Sequence, residues 1–194
     1  MSNFLVNPFV FGCTGDTTTE AFNESQSDDV ASFNSQSGEN DCIGMESSSG
    51  ISKHVIKNCV FRIYRTSGAT GNVYCKIYNN LVTPANELAS SAAVDIETVT
   101  TDTGGQDVTF TFSSCQTLAA GVSAQNVVLE YDSGDSGKYC FLLFETTASV
   151  KSGWTTMSKL IHDDPSGSNF REYTGSVENN VRGVFDSIVG TCCS

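Results

Sequence analysis

From about residue 50 onward, apolar and polar residues alternate with a period of two in one short segment after another, and glycine-rich turns separate the segments. That period sends successive side chains to opposite faces of an extended chain, so each segment has one face for a core and one for solvent or a partner. In Cys59-Val-Phe-Arg-Ile-Tyr-Arg65, the residues Cys59, Phe61 and Ile63 share one face, with Arg62 and Tyr64 on the other. Asn72-Val-Tyr-Cys-Lys-Ile-Tyr78 sets Val73, Cys75 and Ile77 against Tyr74, Lys76 and Tyr78. Between them Ser67-Gly-Ala-Thr-Gly-Asn72 reads as a turn, and the two segments as a hairpin. Further strands are expected at Asp107 to Ser113 (Val108, Phe110, Phe112 inward), Ala124 to Tyr131 (Val127, Leu129, Tyr131) and Lys138 to Glu145 (Cys140, Leu142, Phe144), with a last one around Asn180 to Asp186. Ala85 to Ala93 is the one segment suited to a short helix, and no internal repeat is found.

Strands this short and this closely spaced predict an all-β fold, a two-sheet antiparallel β-sandwich of jelly-roll type with an extended N-terminal arm. Frequent Ser, Thr, Gly and Asn, with a charged fraction of only 16%, agree with it. A chain of 194 residues suffices for one such domain and its core. Residues 1–30 read as the arm and 31–194 as the sandwich domain. The arm carries Phe4, Leu5, Val6, Phe9, Val10 and Phe11, then turns polar and acidic as far as Asp28-Asp29. Such a strand-like segment either folds back on its own sheet or completes a neighbour's.

A net charge of -12, with 10 Lys and Arg in all, cannot neutralise many phosphates, so nucleic acid is not an expected partner. It also opposes adsorption to anionic membranes. The longest apolar run, Cys140 to Phe144, is far short of the roughly 20 residues that cross a bilayer, so no membrane insertion is expected. The first residues lack the basic segment and unbroken apolar run of a secretory signal. The expectation is a chain used without that route, as virion proteins are, or one already mature.

None of the eight cysteines forms a C-x-x-C pair and there are only two histidines, so zinc-ligand spacing is missing. Cys13, Cys42, Cys115, Cys192 and Cys193 fall outside expected strands or at their ends and are the disulfide candidates. Adjacent Cys192 and Cys193 pair with each other only through a strained ring, so at least one is expected to reach elsewhere. Disulfides would place the chain in an oxidising setting. Cys59, Cys75 and Cys140 read as buried apolar residues, and full reduction of all eight is the alternative.

The runs Phe61 to Tyr78, Ala89-Ser-Ser-Ala-Ala-Val-Asp95, Val108-Thr-Phe-Thr-Phe112, Leu118-Ala-Ala-Gly121, Val127-Val-Leu-Glu-Tyr-Asp132 and Gly153-Trp154 together resemble a jelly-roll-like β-sandwich module of phage and microbial surface proteins. The resemblance covers about residues 50–190. It rests on strand and turn patterns, so it speaks to fold more than to activity. It implies a non-enzymatic module of carbohydrate-binding or adhesive type. Cysteines stand where such modules usually carry Val or another aliphatic residue, and the aromatic arm is a second departure.

Gly134-Asp-Ser-Gly137 spells the tetrapeptide around the nucleophile of trypsin-like proteases, but the chemistry also needs an oriented histidine, a buried aspartate and an oxyanion hole. His54, in Ser-Lys-His-Val-Ile-Lys, has no such setting, and a turn accounts for the tetrapeptide. His162-Asp-Asp-Pro-Ser-Gly lacks a second histidine for a transition metal. Calcium is the ion its oxygens suit, with Asp132, Asp135, Asp163 and Asp164 as loop donors, although solvated carboxylates are the default. No pair among 22 acidic residues stands out as a glycosidase couple. The sequon Asn23-Glu-Ser25 carries no assigned role. Trp154, Tyr64, Tyr74, Tyr78 and Tyr173 are the rings that would stack on sugars, although the default is that Trp154 caps the core and the tyrosines line a sheet face covered by a neighbour.

The sequence therefore predicts no catalytic residues and no required cofactor. It predicts a structural subunit of a virion surface (capsid decoration, tail or fibre) or of an extracellular filament, whose partners are its own copies or other surface proteins. A glycan-binding adhesive module is the alternative.

Overall fold

The computed structural model describes residues 17–21, 29–33, 35–36, 39–80, 86–133, 137–144, 152–155, 160–162, 170–172 and 187–191. In chain order the strands are β1 (Thr17–Ala21), β2 (Asp29–Phe33), β3 (Ser35–Gln36), β4 (Glu39–Ser47), β5 (His54–Arg65), β6 (Asn72–Asn80), β7 (Asn86–Ser90) and β8 (Val94–Asp95). After a 3-10 turn at Ile96–Thr98 come β9 (Gln106–Leu118), β10 (Asn126–Tyr131), β11 (Cys140–Phe144), β12 (Trp154–Thr155), β13 (Leu160–His162), β14 (Phe170–Glu172) and β15 (Ser187–Thr191). They form a two-sheet antiparallel sandwich.

In the first sheet the order is β1-β15-β5-β11-β2, with β9 on the other edge of β5. Ile63 pairs with Gln106 of β9 on one side and Leu142 of β11 on the other, while Cys59 pairs with Phe110 of β9 and Ile188 of β15. One edge of β5 thus belongs to β9, and β11 and β15 share the second edge end to end. In the second sheet the order is β14-β13-β4-β10-β6-β7, with β3 and β12 also on β4 and β8 on β6. Residues 17–21 of the expected arm are therefore a strand of the first sheet.

Two expectations change. The segments of β5 and β6 do not form a hairpin: β5 lies in the first sheet and β6 in the second. The connection between them crosses the sandwich, held by Thr66 N donating to Tyr139 O (3.0 Å) and the Tyr131 hydroxyl donating to Thr70 O (2.5 Å). Alternation is blind to this, because strands that pair and strands that face each other across a core both show one apolar face. Nor is the described part of Ala85 to Ala93 helical; Asn86–Ser90 pairs with β6 through two register shifts. Ala, Glu and Leu favour a helix only weakly, and the open edge of β6 outweighs that preference. The strand expected around Asn180 to Asp186 lies outside the described residues.

The core is what the alternation predicts. Cys59, Phe61, Ile63, Phe110, Phe112, Cys140 and Leu142 from the first sheet meet Val73, Cys75, Ile77, Val127, Leu129 and Tyr131 from the second, all within 1% of complete burial. Each fully buried aliphatic or phenyl side chain contributes about 1.5–3 kcal/mol by leaving water. Phe61 and Phe110 meet edge to face, with centroids 5.7 Å apart. Trp154 closes the core and is only 4% exposed.

Two local devices set the sheet geometry. Ile56 pairs with Gln116 and Asn58 with Thr111, so the four residues Phe112 to Cys115 oppose Lys57 alone. The Lys57 ammonium donates to the Phe112 and Ser113 carbonyls at 2.6 and 2.8 Å, satisfying two acceptors that this bulge takes out of the ladder. Gly44, opposite Val128, allows β4 and β10 to approach closely: a Cβ there would overlap the Val127 carbonyl oxygen and lie 2.6 Å from Val128 Cα.

Candidate functional site

The outward faces of β6, β7 and β10 enclose a cleft of about 300 Å³ lined by Tyr74, Lys76, Glu87, Ser90, Glu130 and Asp132, with Tyr131 beside them. Alternation places Tyr74, Lys76 and Tyr78 on this face because Val73, Cys75 and Ile77 take the core. Lys76 is the hub, with its ammonium 2.8 Å from Glu130 Oε2 and 3.1 Å from Glu87 Oε2. Tyr78 donates to Glu130 Oε1 at 2.6 Å. At the other end, Asp132 Oδ1 accepts from Asn72 N (2.7 Å), and Oδ2 accepts from Asn72 Nδ2 (3.1 Å) and the Tyr74 hydroxyl (3.3 Å).

These contacts fix protonation states. Burial alone would lower the Lys76 pKa, but Glu130 and Glu87 outweigh it and hold the ammonium charged above its ordinary range. Burial, followed by the Glu130 charge and hydrogen bond, pushes the Tyr78 phenol far up. Burial would raise Asp132, yet hydrogen bonds from Asn72, Ser133 and Tyr74 bring it below its ordinary value. A lysine kept charged is no nucleophile and a phenol kept neutral is no base. The cleft therefore presents hydrogen-bond donors and acceptors to a polar ligand.

The first sheet carries a different surface. On its outward face Tyr64 of β5 and Phe141 of β11 stack at 4.5 Å with 6° between ring planes, and Tyr139 leans on Phe141 at 6.1 Å. The three rings are partly exposed. Leu143 extends the row, although it is largely covered by Gly105 and Arg62.

The expected sugar-stacking rings are thus not one set. Tyr64 is on the first sheet, and Tyr74 and Tyr78 are on the second, with Tyr78 only 5% exposed and its hydroxyl engaged. Trp154 is buried against His54, edge to face at 5.6 Å, and presents no ring to a ligand; Gly153 before it, at positive φ, lies close against Ile51. Tyr173 lies outside the described residues.

Cys42, expected as a disulfide candidate, is a free thiol in the middle of β4 and completely buried. Burial, with the Glu130 and Asp41 charges, raises its pKa, so it stays protonated and unreactive. Cys115 is disulfide-bonded. Cys42, Cys59, Cys75 and Cys140 are free, and Cys13, Cys192 and Cys193 lie outside the described residues.

Of the calcium donors, Asp132 accepts hydrogen bonds from Asn72 and Tyr74, and Asp135, Asp163 and Asp164 lie outside the described residues. Among the described residues no three His, Cys, Asp or Glu gather as a metal site would need. Ser136 and the arm residues Phe4, Leu5, Val6, Phe9, Val10 and Phe11 also lie outside them. His54 begins β5, and its Nδ1 lies 2.8 Å from the Ser52 carbonyl oxygen.

Glu87 and Glu130 escape sequence reasoning because a carboxylate at an outward strand position reads as solvated. Only the pairing of β10 with β6 brings Glu130 to Lys76 and Tyr78. Among the described residues, no helix is long and apolar enough to cross a membrane. No protein-family model, curated protein or solved structure matches the chain.

Proposed function

We propose that the chain is a non-enzymatic structural subunit of a virion surface, as a capsid decoration, tail or fibre protein, or of an extracellular filament, which associates with its own copies by packing of sheet faces and through its N-terminal segment. The observation that carries this reading is the Tyr64–Phe141–Tyr139 row on the outward face of the first sheet. Stacked aromatic side chains bury large areas at little cost in conformational entropy, and they are the residues on which protein interfaces concentrate their energy. On the same face β9 offers only Asp107, Thr109, Thr111 and Ser113. The three rings lie together in one strip, which suits docking in a single orientation. The Cys115 disulfide agrees with a place outside the reducing cytosol.

Electron microscopy and light scattering of the full chain test the proposal. A Tyr64→Ser, Phe141→Ser double variant, and separately a deletion of residues 1–12, are each expected to leave a folded monomer that no longer assembles. Unchanged particles or filaments in both would overturn it.

A second reading, glycan binding, draws on the 300 Å³ cleft, where Tyr74, Lys76, Glu87 and Asp132 present a ring together with hydrogen-bonding groups. On a glycan array Tyr74→Ala would then lose signal while assembly persists. An array blank for the wild-type chain removes this reading.

A further inference from the structure

Cys59 and Cys75 sit on different sheets, on β5 and β6, and both are free and completely buried in the same core. Cys59 stands close enough to Cys75 that, after burial, it is the next cause raising the Cys75 thiol pKa. The backbone explains why they come so close in a sandwich whose sheets ordinarily stand ~10 Å apart. Ser91, just after β7, donates its N–H to the Cys75 carbonyl at 2.8 Å and receives the Cys75 N–H on its hydroxyl at 3.0 Å. The same Ser91 forms a β-bridge to Phe112 of β9 in the other sheet, and Ala92 N donates to Thr111 O at 2.8 Å. Thr111 and Phe110 in turn lie opposite Asn58 and Cys59. Main-chain hydrogen bonds thus run from Cys75 around a closed corner of the sandwich to Cys59, and the corner draws the sheets together where the two thiols point inward.

We infer that Cys59 and Cys75 are a site of covalent cross-linking between the two sheets, closing to a disulfide when the chain folds in an oxidising medium. In the reaction one thiolate attacks a small-molecule disulfide such as glutathione disulfide and expels one glutathione thiolate. The second cysteine, as thiolate, then attacks the mixed disulfide and expels the other. Two protons and two electrons leave the cysteine pair, and the oxidant becomes two glutathione thiols. Complete burial denies a reagent access to the finished core, and desolvation raises the Cys75 thiol pKa. The bond therefore forms while the corner is still assembling. The disulfide at Cys115, on the same β9, indicates that the chain meets such conditions. Cys42 and Cys140 are buried and free as well, but Cys42 lies on the outward face of β4, and neither forms a thiol pair among the described residues.

Full-length protein refolded from denaturant in a glutathione redox buffer, then denatured without reductant, alkylated and digested, tests the inference by mass spectrometry. The expected product joins the peptides of Cys59 and Cys75, lighter by two hydrogens than the sum of the free peptides, while Cys42 and Cys140 carry the alkylating group. Oxidation of Cys115 in the same digest shows that the medium was oxidising enough. With Cys115 oxidised, alkylation of both Cys59 and Cys75, or linkage of either to another cysteine, would overturn it.

Discussion

Tyr78 and Glu130, both buried although they stand on an outward sheet face, share a 2.6 Å hydrogen bond, and the other oxygen of Glu130 holds Lys76 at 2.8 Å. Each side chain alone would be costly to bury, and together they satisfy one another. Tyr78→Phe keeps the ring and removes the donor, leaving a charged acceptor short of a partner. Such a loss costs roughly 1.5–3 kcal/mol. Urea unfolding should show it as a lower midpoint with an unchanged slope.

Asp132 predicts an acid-side effect. Its carboxyl is held below its ordinary value of 3.8, so its stabilisation is fully present above that value and fades as pH falls through the lower value of the folded protein. Because the side chain is solvent-accessible, the contribution is about 1 kcal/mol or less. Melting temperatures of wild type and Asp132→Asn should differ most above pH 4 and converge in stronger acid. A constant gap across that range contradicts the assignment.

Glu46 behaves in the opposite sense. Burial raises its pKa, and it stands directly opposite Asn126, whose Oδ1 is buried without a hydrogen-bond partner. Opposed side chains in such a pair are within ~5 Å at Cβ, so an amide at position 46 can donate to that oxygen. Glu46→Gln is expected to stabilise the protein at neutral pH by about 1 kcal/mol. A raised carboxyl pKa penalises the fold above that pKa, so the advantage should shrink once the medium is acidic enough to protonate Glu46 itself. Denaturation curves at neutral pH and near pH 4 would check both parts.

Gly44→Ala adds one methyl group where the neighbouring atoms are backbone and cannot rotate away. The β4–β10 ladder must open to accept it, at a cost of about 3 kcal/mol or more. Loss of the soluble folded protein or a large fall in melting temperature is expected, whereas Gly50→Ala, whose nearest contact is the Ser48 hydroxyl at 3.6 Å, serves as the mild control.

The inward residues of β5, β6, β9, β10 and β11 were legible in the sequence because side-chain alternation is a local property. Phe110 and Leu129 each announce their face through their neighbours alone. Which sheet a strand joins depends on pairing with residues far along the chain, and nothing near Ser67 or Gly71 distinguishes a hairpin from a crossing. Tyr78 read as an outward ring and is outward, yet covered; its burial follows from Glu130, fifty-two residues away. Trp154 read either as a ligand platform or as a cap on the core, because an isolated tryptophan carries no periodicity from which to infer its face; it is the cap. The Lys57 clamp was invisible for the same reason as the bulge it caps, since register shifts belong to two strands at once.

The placement of β15 has a consequence for how the protein is made. Among the described residues β1 pairs only with β15, which lies between it and β5. On the ribosome β1 is the first of these strands to emerge and β15 the last, so β1 waits for nearly the whole chain before its ladder can form. Until then the part of β5 that β15 will cover has an open edge, and that nascent edge is a place where a wrong partner would be captured.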